Sequence, residues 1–326
     1  MTKARAVKVA EFGAADVMKI ETFDLAAPAA GEAQIRQTAI GVNYLDISQR
    51  AGAMALPLPT GIGHEAAGVV EAIGDGVTDV KVGDRVAYMN AGIGAYADRR
   101  NVAASKLVKL PDSVSDEAAA TLIFKGMTAQ YLVKKTYAIQ PGDLVLVHSA
   151  AGGVGQILSS WAKALGATVV GTASTAEKCA IALKAGCDFA IDYSKEGWVE
   201  EFLKVTGGKK ARVTYDAVGK DTFYQSLDCT APFGMVVLYG AASGPVTDFK
   251  PELLNAKGCL FLTRPSVFPH NADPATFRAN AADLFDAITT GKVKVDIGAR
   301  FKLDDIAKAH DSIKGRGTTG AVLITP

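Results

Sequence analysis

The segment V-L-V-H-S-A-A-G-G-V-G at residues 145–155 is an apolar run that leads directly into a glycine-rich turn. Gly152 would let the backbone approach a phosphate group, and Gly155 would let a following helix pack closely on the strand. The N-terminus of that helix would supply unpaired N–H groups and a partial positive charge, which suit a nucleotide pyrophosphate. Ala150 occupies the first glycine position of G-x-G-x-x-G, so the turn alone also fits an ordinary strand-to-helix connection.

The residues that follow the turn favour the nucleotide site. Gly166 is placed to cap the C-terminus of a helix, and residues 167–171 read as the next apolar strand. A core unit without a ligand would explain the apolar residues, but not three glycines in one turn. We therefore predict a dinucleotide site on a strand-helix-strand unit. The apolar residues at helical spacing between the turn and Gly166 are Ile157, Leu158, Trp161, Ala162 and Leu165.

The end of the second strand indicates which dinucleotide binds. Proteins that bind the unphosphorylated cofactor usually carry Asp or Glu there, whereas this chain has Ala173 and Ser174. A carboxylate would repel the 2′-phosphate of NADPH by about 4 kcal/mol at contact distance and an effective dielectric of ~20. Ser174 and Lys178 would instead offer a hydroxyl and an ammonium group. Lys178 beside Glu177 also fits a solvated helix charge, but we predict NADPH rather than NADH.

Composition limits the class of protein. The 326 residues are long enough for two domains, and 49% hydrophobic with 21% charged residues is typical of a globular chain. A net charge of +1 gives no general attraction to nucleic acid or to anionic membranes, and no run of about 18 residues is apolar throughout. The four cysteines lack C-x-x-C spacing, which argues against a structural zinc site and a disulfide framework. We expect a cytoplasmic protein without membrane or nucleic-acid partners.

The elements that must position the turn fall into two patterns. Short alternating strands dominate the first 120 or so residues, at 4–11, 32–39, 67–73 and 85–88. Helical spacing begins at Asp116, and apolar strands then alternate with helices at 144–147, 168–170, 189–191, 212–216 and 235–239. A long helix at 274–289 and a closing strand at 320–324 follow. The alternation predicts an α/β fold with a doubly wound parallel sheet beside a β-rich part.

Further motifs occur in order along nearly the whole chain. The chain resembles the medium-chain dehydrogenase/reductase superfamily, and within it the zeta-crystallin-like NADPH:quinone oxidoreductases. The resemblance implies a GroES-like catalytic domain at 1–124, a Rossmann NADPH-binding domain at 125–264 and a C-terminal segment at 265–326 that rejoins the catalytic domain. The motifs are G-V-N-Y-L-D at 41–46, G-H-E-A-A-G at 63–68, V-G-D-R-V-A-Y at 82–88, K-G-M-T-A-Q-Y-L at 125–132, A-A-G-G-V-G at 150–155, Y-D-A-V-G at 215–219 and L-T-R-P-S at 262–266.

The zinc ligands of the superfamily's alcohol dehydrogenases are not repeated. His64 stands where that branch has a histidine ligand, but Asn43 and Lys125 stand where it has two cysteines. An amide is a poor zinc ligand and an ammonium group has no lone pair, so we predict no metal and a structural or wall position for His64. Without a Lewis acid, an easily reduced quinone or enone is a more suitable acceptor than an alcohol.

The resemblance also implies the site residues, which would meet NADPH and a quinone in a cleft between the domains. Asn43, Tyr44, Asp46, Lys125 and Thr128 are implied at the nicotinamide end, where Asn43 and Thr128 would also contact NADPH with Tyr131. Gly152, Gly153 and Val154 would hold the pyrophosphate, and Ser174, Lys178 and Tyr193 the 2′-phosphate. Gly240, Ala241, Leu262, Thr263, Arg264 and Pro265 would lie on the nicotinamide-ribose side, with Arg316 closing from the C-terminal segment.

Several alternatives stay open at this point. Ser48 replaces a tyrosine that related quinone reductases often carry, and Tyr44 or Tyr88 would have to compensate. The same scaffold fits an alkenal or enone reductase, or a non-catalytic NADPH-binding protein of the crystallin or RNA-binding kind. Asp46 would also form a simple ion pair with Arg50. The resemblance implies a homodimer, through an apolar strand at 258–263 that extends the sheet across a two-fold axis.

The remaining histidines carry little signal. His148, at the end of a strand, reads as a satisfied core histidine, and His270 and His310 lie in polar sequence. No Ser-His-Asp arrangement has motif support.

Overall fold

The structure is a computed structural model that describes residues 2–294, 296–315 and 318–326. The chain divides into two compact units. The first, called unit 1, comprises Met1–Met127, Asn271–Thr289 and Val295–Pro326, and the second, called unit 2, comprises Thr128–His270 and Thr290–Lys294. No helix of the described residues is long and apolar enough to cross a bilayer.

The strands and helices have the following bounds. The strands are β1 (Thr2–Val9), β2 (Met18–Leu25), β3 (Glu32–Val42), β4 (Thr60–Gly61), β5 (Glu65–Ile73), β6 (Arg85–Met89), β7 (Arg99–Ala103), β8 (Leu107–Lys109), β9 (Leu144–Val147), β10 (Thr168–Ala173), β11 (Phe189–Asp192), β12 (Ala211–Asp216), β13 (Thr230–Leu238), β14 (Phe261–Thr263), β15 (Ile297–Lys302) and β16 (Ala321–Thr325). The helices are α1 (Tyr44–Arg50), α2 (Asp116–Tyr131), α3 (Gly153–Ala164), α4 (Ala176–Lys184), α5 (Trp198–Val205), α6 (Phe223–Cys229), α7 (Glu252–Ala256), α8 (Val267–His270), α9 (Pro274–Thr289) and α10 (Ile306–Lys314).

Unit 1 is built on antiparallel pairing. A three-stranded sheet has the order β2-β1-β4, and a larger sheet has the order β15-β16-β3-β5-β6-β8, with β7 paired to β3. Strand β16 pairs with β3 so that Leu323 lies opposite Gly41. A cluster of buried apolar residues packs these strands together, because alternate residues of a strand point to the same face. The strand that leads to Asn43 is therefore held on both sides.

Unit 2 contains a six-stranded parallel sheet with the order β11-β10-β9-β12-β13-β14. Strand β9 has the sequence Leu-Val-Leu-Val and is almost wholly buried, as expected when helices cover both faces of a parallel sheet. The strand order reverses between β9 and β12, which is where ligands bind in doubly wound sheets. The predicted fold class, a doubly wound parallel sheet with a β-rich GroES-like part, is confirmed.

Some predicted boundaries differ from the observed ones. The helix at 274–289 is found as predicted, whereas the strand at 235–239 begins earlier and spans Thr230–Leu238. The strand predicted at 258–263 is wrong in its first half and spans only Phe261–Thr263. The reason is local, because Gly258 and Cys259 have left-handed backbone conformations with φ of +115° and +56°.

Candidate active site

The glycine turn joins β9 to α3 at the carboxyl edge of the parallel sheet. Gly152 is the residue before the helix, and a Cβ on Gly155 would lie 2.2 Å from the carbonyl oxygen of Ser149. Gly155 must therefore be glycine for α3 to pack here, which confirms that prediction. The left-handed residue of the turn is Ser149, with φ of +56°, so the alanine at 150 does not disturb the turn.

The same turn fits a phosphate-bearing ligand. A Cβ on Gly152 would come within 3.1 Å only of Ser149, so packing alone constrains Gly152 less than Gly155. Gly153 and Val154 begin α3, and the N–H groups of a helix's first turn have no acceptor inside the helix. Two N–H donors and the positive end of the helix dipole therefore meet beside a residue without a side chain.

The residues predicted for a 2′-phosphate lie at the neighbouring strand ends. Ser174 follows β10 directly, and Tyr193 follows β11, where its N–H donates to the carbonyl of Ala173 at 2.9 Å. Lys178 lies in the first turn of α4, and its N–H donates to the side chain of the capping residue Thr175 at 3.3 Å. The three predicted residues are thus brought to one end of the sheet.

Two carboxylates belong to the same end of the sheet. Hydrogen bonds lower the pKa of Glu177 and that of Asp192, which accepts from the Ser194 hydroxyl at 2.6 Å. Lys195 lies 4.0 Å from Asp192 and offsets part of its charge. Positive and negative side chains are therefore mixed at this end of the sheet. The predicted preference for a phosphate depends on the ammonium group of Lys178 and on the hydrogen-bond donors of Ser174 and Tyr193.

A buried polar network in unit 2 surrounds Asp216 at the end of β12. Asp216, at the end of β12, accepts hydrogen bonds from the N–H groups of Val218 and Gly219 and from the Thr222 and Ser226 hydroxyls. Ser226 also contacts Nε2 of His148 at 3.0 Å. The network is fully buried, and it shapes the turn after β12.

His148 is the satisfied core histidine that the sequence predicted. Its Nδ1 contacts the Thr172 hydroxyl at 2.8 Å, so it links β10 to Ser226 across β9. Burial lowers the pKa of His148, although the nearby Asp216 opposes this effect. Hydrogen bonds link His148 to Ser226 and Ser226 to Asp216, but all three side chains are fully buried.

The residues predicted for the nicotinamide-ribose side cluster at the ends of β13 and β14. The N–H groups of Tyr239 and Gly240 donate to the Asp216 carbonyl, and a Cβ on Gly240 would lie 2.5 Å from the Ala217 carbonyl oxygen. Ala241 follows, and Val237 lies opposite Thr263 in the parallel register. The remaining residues of this group are Leu262 on β14, then Arg264, whose Nη1 lies 3.4 Å from the Leu238 carbonyl, and Pro265.

Thr128 and Tyr131 are buried in the last turn of α2. The Tyr131 ring stacks on His270, with centroids 4.4 Å apart and planes at 8°. Burial raises the pKa of Tyr131 and lowers that of His270. Neutral, stacked rings here form an apolar surface rather than a pair of charged groups.

In unit 1, three elements converge on one buried carboxylate, Glu65, at the start of β5. Its Oε1 accepts hydrogen bonds from Asn43 Nδ2 at 2.8 Å and Lys125 Nζ at 2.7 Å. Its Oε2 accepts from the N–H of Phe124 at 2.7 Å. A Cβ on Gly41 would lie 2.3 Å from Oε1, so the glycine makes room for this carboxylate. The predicted Asn43 and Lys125 therefore meet through a residue that was not predicted.

Asp46 is buried beside this cluster, in the first turn of α1. Its Oδ2 accepts from the N–H of Asn43 at 2.8 Å and from the Tyr96 hydroxyl at 2.7 Å, and that hydroxyl lies 3.0 Å from His310 Nε2. Within the part of the chain that the structure describes, the alternative ion pair with Arg50 is not found, and Oδ2 of Asp46 is held instead by Asn43 and Tyr96. Among the described residues, Nε and Nη1 of Arg50 have no hydrogen-bond partner.

Of the two tyrosines left open, Tyr88 is excluded as a replacement for the missing site tyrosine, because it is fully buried in the core and donates its hydroxyl to Gln37. His310 is buried next to polar groups, and burial lowers its pKa to about 3. Tyr44, in contrast, is 49% exposed at the start of α1, and Ser48 donates to its carbonyl at 3.2 Å. Arg316 lies outside the described residues.

His64 is buried in the wall beside Glu65, with Nε2 2.8 Å from Gln49 Oε1 and its ring 5.9 Å from the ring of Phe124. Burial lowers its pKa to about 4, so it is neutral at physiological pH. Within residues 2–294, 296–315 and 318–326, no group of three or more His, Cys, Asp or Glu side chains is arranged to hold a metal ion.

Sequence reasoning missed Glu65, Tyr96 and Asp216. The signal for Glu65 was present, because a carboxylate that opens a nearly continuous apolar strand must find donors inside the protein. The motif Y-D-A-V-G carried the same signal for Asp216. Tyr96 had no such pattern, since it meets Asp46 only through the fold.

Burial raises the pKa of Asp46 to about 7, and Glu65 adds to the shift while hydrogen bonds from Asn43 and Tyr96 oppose it. The unfolded carboxyl ionises near 3.8, so ionisation favours the unfolded chain between these values. We expect this one group to lower the free energy of unfolding by about 1.4 kcal/mol per pH unit between pH 4 and 7.

Asp46→Asn keeps an acceptor for Asn43 and Tyr96 but cannot ionise. Urea unfolding from pH 4 to 8 should therefore show the variant gaining stability relative to the native chain as the pH rises. The exposed Asp24→Asn is the control, and its curve should run parallel to that of the native chain. A parallel curve for Asp46→Asn would contradict the raised pKa.

Comparison with known proteins covers the whole chain. Residues 29–112 match the family model described as alcohol dehydrogenase GroES-like domain, and residues 153–284 match the model described as zinc-binding dehydrogenase. The chain is 43% identical to a quinone oxidoreductase of Pseudomonas aeruginosa over 99% of this chain and 100% of that protein. It is 42% identical to a 2-haloacrylate reductase of a Burkholderia species, over 96% of each.

A solved structure gives the same result. The crystal structure of Escherichia coli quinone oxidoreductase complexed with NADPH has a TM-score of 0.96 and 42% identity, and the match covers 99% of this chain and 100% of that one. The likeness is thus full-length in both sequence and fold. The chain belongs to the quinone oxidoreductase family of the medium-chain dehydrogenase/reductase superfamily.

Proposed function

We propose that this protein is an NADPH-dependent quinone reductase. The observation that carries the proposal is the Glu65 cluster, in which an amide and an ammonium group stand where a zinc enzyme has thiolates. Such donors suit an acceptor whose oxygen gains negative charge and needs no Lewis acid. Full-length relatives named quinone oxidoreductase, one of them complexed with NADPH, support the same activity.

The cofactor residues form two groups at the carboxyl edge of the parallel sheet. Gly152, Gly153 and Val154 hold the pyrophosphate, because the start of α3 presents free N–H groups there. Ser174, Lys178 and Tyr193 hold the 2′-phosphate. On the nicotinamide-ribose side we place Thr128, Tyr131, Gly240, Ala241, Leu262, Thr263, Arg264 and Pro265. Arg316 is proposed as a further cofactor-binding residue.

Bound NADPH supplies a hydride, and the residues of unit 1 receive the acceptor. Asn43 and Lys125 donate to its oxygen, while the exposed Tyr44 ring gives an apolar surface. Asp46 and Tyr96 keep Asn43 in place through its backbone N–H. Solvent supplies the proton that completes the reduction. Catalysis here is positioning and hydrogen bonding, which is sufficient for an easily reduced acceptor.

A second candidate is the reduction of an activated alkene. It rests on the 42% identity to a 2-haloacrylate reductase, because that protein's name describes the reduction of a carbon–carbon double bond next to a carboxyl group. Both reactions place negative charge on an oxygen conjugated to the reduced atom. They differ in the acceptor alone.

The protein is proposed to be cytoplasmic and dimeric. All four cysteines are free, which suits a reducing compartment. We propose that residues 1–124 and 265–326 form the catalytic domain and that residues 125–264 bind NADPH. Strand β14 is an edge of the parallel sheet, and Phe261 on it is 59% exposed. An exposed edge strand with a large apolar side chain suits pairing with a second copy.

An initial-rate screen tests the activity. With NADPH, 1,4-benzoquinone and 9,10-phenanthrenequinone should turn over much faster than a simple enal or 2-chloroacrylate, and NADH should be a poorer donor than NADPH. Fast reduction of the alkenes with inert quinones would favour the second candidate. NADPH binding with no oxidation across all acceptors would contradict catalysis.

Lys178→Ala tests the cofactor assignment. Loss of a charged donor to the 2′-phosphate should weaken NADPH binding about tenfold or more while leaving NADH binding nearly unchanged, as measured by fluorescence titration. Lys184→Ala, in the last turn of the same helix, is the control and should leave both affinities unchanged. An equal loss for both cofactors would remove the assignment.

Phe261→Glu tests the dimer. A carboxylate on the edge strand would be buried against the second copy, so light scattering should show a monomer. Phe189→Glu places the same charge on β11, the opposite edge strand, where Phe189 is 37% exposed, and should remain a dimer. A native chain that is monomeric would refute the interface.

A further inference from the structure

We propose that Glu65 is a positioning residue that holds Lys125 and Asn43 as two converging donors to the oxygen of the electron acceptor. The inference rests on the proposed function and adds how unit 1 stabilises the charge that forms during reduction. It concerns residues of one unit only, all of them described by the structure.

One oxygen of Glu65 accepts hydrogen bonds from both donors. Lys125 Nζ and Asn43 Nδ2 lie 2.7 and 2.8 Å from the same oxygen, Oε1, so the two donors are neighbours. The other oxygen of Glu65 accepts a hydrogen bond from the N–H of Phe124, and the carboxylate occupies space that a Cβ on residue 41 would fill. The carboxylate therefore cannot rotate without losing a hydrogen bond. It imposes one relative position on both donors.

Glu65 and the two residues that donate to it differ in their exposure to solvent. Glu65 has no accessible surface, whereas Lys125 and Asn43 keep 7% and 6% of theirs. The carboxylate thus has no contact with solvent, whereas the two residues that donate to it retain some accessible surface. The next residue after Asn43, Tyr44, is 49% exposed. Apolar surface around a few convergent polar groups is typical of small-molecule sites.

Both donor nitrogens carry more N–H bonds than Glu65 accepts. An ammonium group carries three N–H bonds and an amide nitrogen two, and in the described part of the chain each nitrogen donates to Glu65 alone. Donor capacity therefore remains on both nitrogens. Two neighbouring donors with unused N–H bonds, held in one relative position beforehand, suit an oxygen on which negative charge develops.

The proposed reduction uses the hydride of NADPH and one proton from solvent. The acceptor gains a hydride, with its two electrons, and one conjugated oxygen becomes negative. Lys125 and Asn43 hydrogen-bond to that oxygen until a solvent proton neutralises it. Glu65 takes no proton and touches neither the acceptor nor the cofactor. Its contribution is to keep the ammonium group from swinging away from the site.

A competing explanation is that Glu65 is only a buried counter-ion. Its negative charge would then oppose an oxyanion nearby, and its removal would favour the anion. A positioning role predicts the reverse, because an unanchored lysine no longer meets the oxygen. The two explanations therefore differ in sign, which an equilibrium measurement can read without turnover.

The probe is 4-nitrophenol, which is partly ionised near neutral pH and whose anion absorbs visible light. Bound to the enzyme with NADP⁺, where no hydride is available, it reports how strongly the site favours a phenolate. The native chain should favour bound phenolate over phenol about tenfold more than water does. Lys125→Met should abolish this preference.

Two substitutions of Glu65 carry the test. Glu65→Gln should reduce the preference about tenfold if Glu65 positions Lys125, and should increase it if Glu65 is a bystander charge. Glu65→Asp keeps the charge but shortens the reach, and it should also reduce the preference; it replaces Glu65→Gln if the latter does not fold. Glu71→Gln, on the same strand, is the control and should match the native chain.

The outcomes are distinct from those of the acceptor screen. A native chain that does not favour phenolate, or a Glu65 variant that retains or increases the preference, overturns this inference even if quinones are reduced. A phenolate preference lost in Lys125→Met and in both folded Glu65 variants supports it even if the physiological acceptor is not a quinone. Circular dichroism and thermal melting confirm that each variant is folded.

Discussion

A carboxylate with no access to water must be met by donors, and this requirement organises unit 1 around Glu65. The donors come from Asn43, which precedes α1, from the side chain of Lys125 and from a backbone N–H of α2. Strand β3 must run close beneath, which is why position 41 has no side chain. One buried charge thus contacts a strand, two helices and the two side chains that we propose as donors to the acceptor.

In unit 2, a second buried carboxylate is also paired with hydrogen-bond donors. Asp216 is buried at the end of β12, and its oxygens are met by two backbone N–H groups and two hydroxyls. The turns after β12 and β13 are both tied to this residue, through its side chain and its carbonyl. Buried acids that are fully paired make rigid turns, and rigid turns are what a dinucleotide site at a sheet edge needs.

Local chemistry was readable from the sequence, and long-range contact was not. The glycine turn, the helix at 274–289 and the parallel strands follow from spacing and composition over short windows. The contact between Tyr96 and His310 joins residues more than 200 positions apart, so no window contains it. Tyr88 stayed open as a site tyrosine for the same reason, because only the folded sheet shows that its ring points inward.

The register of β16 has a consequence for how the chain is made. β3 is paired along one edge by β5, but on the other edge its residues 40–42, immediately before Asn43, have β16 as their partner. During synthesis those residues leave the ribosome long before Leu323 does, whereas most of unit 2 is continuous from Thr128 to His270. Most of unit 2 is therefore synthesised before β16. The donor cluster at Asn43 gains its last neighbouring strand only after translation of the final strand.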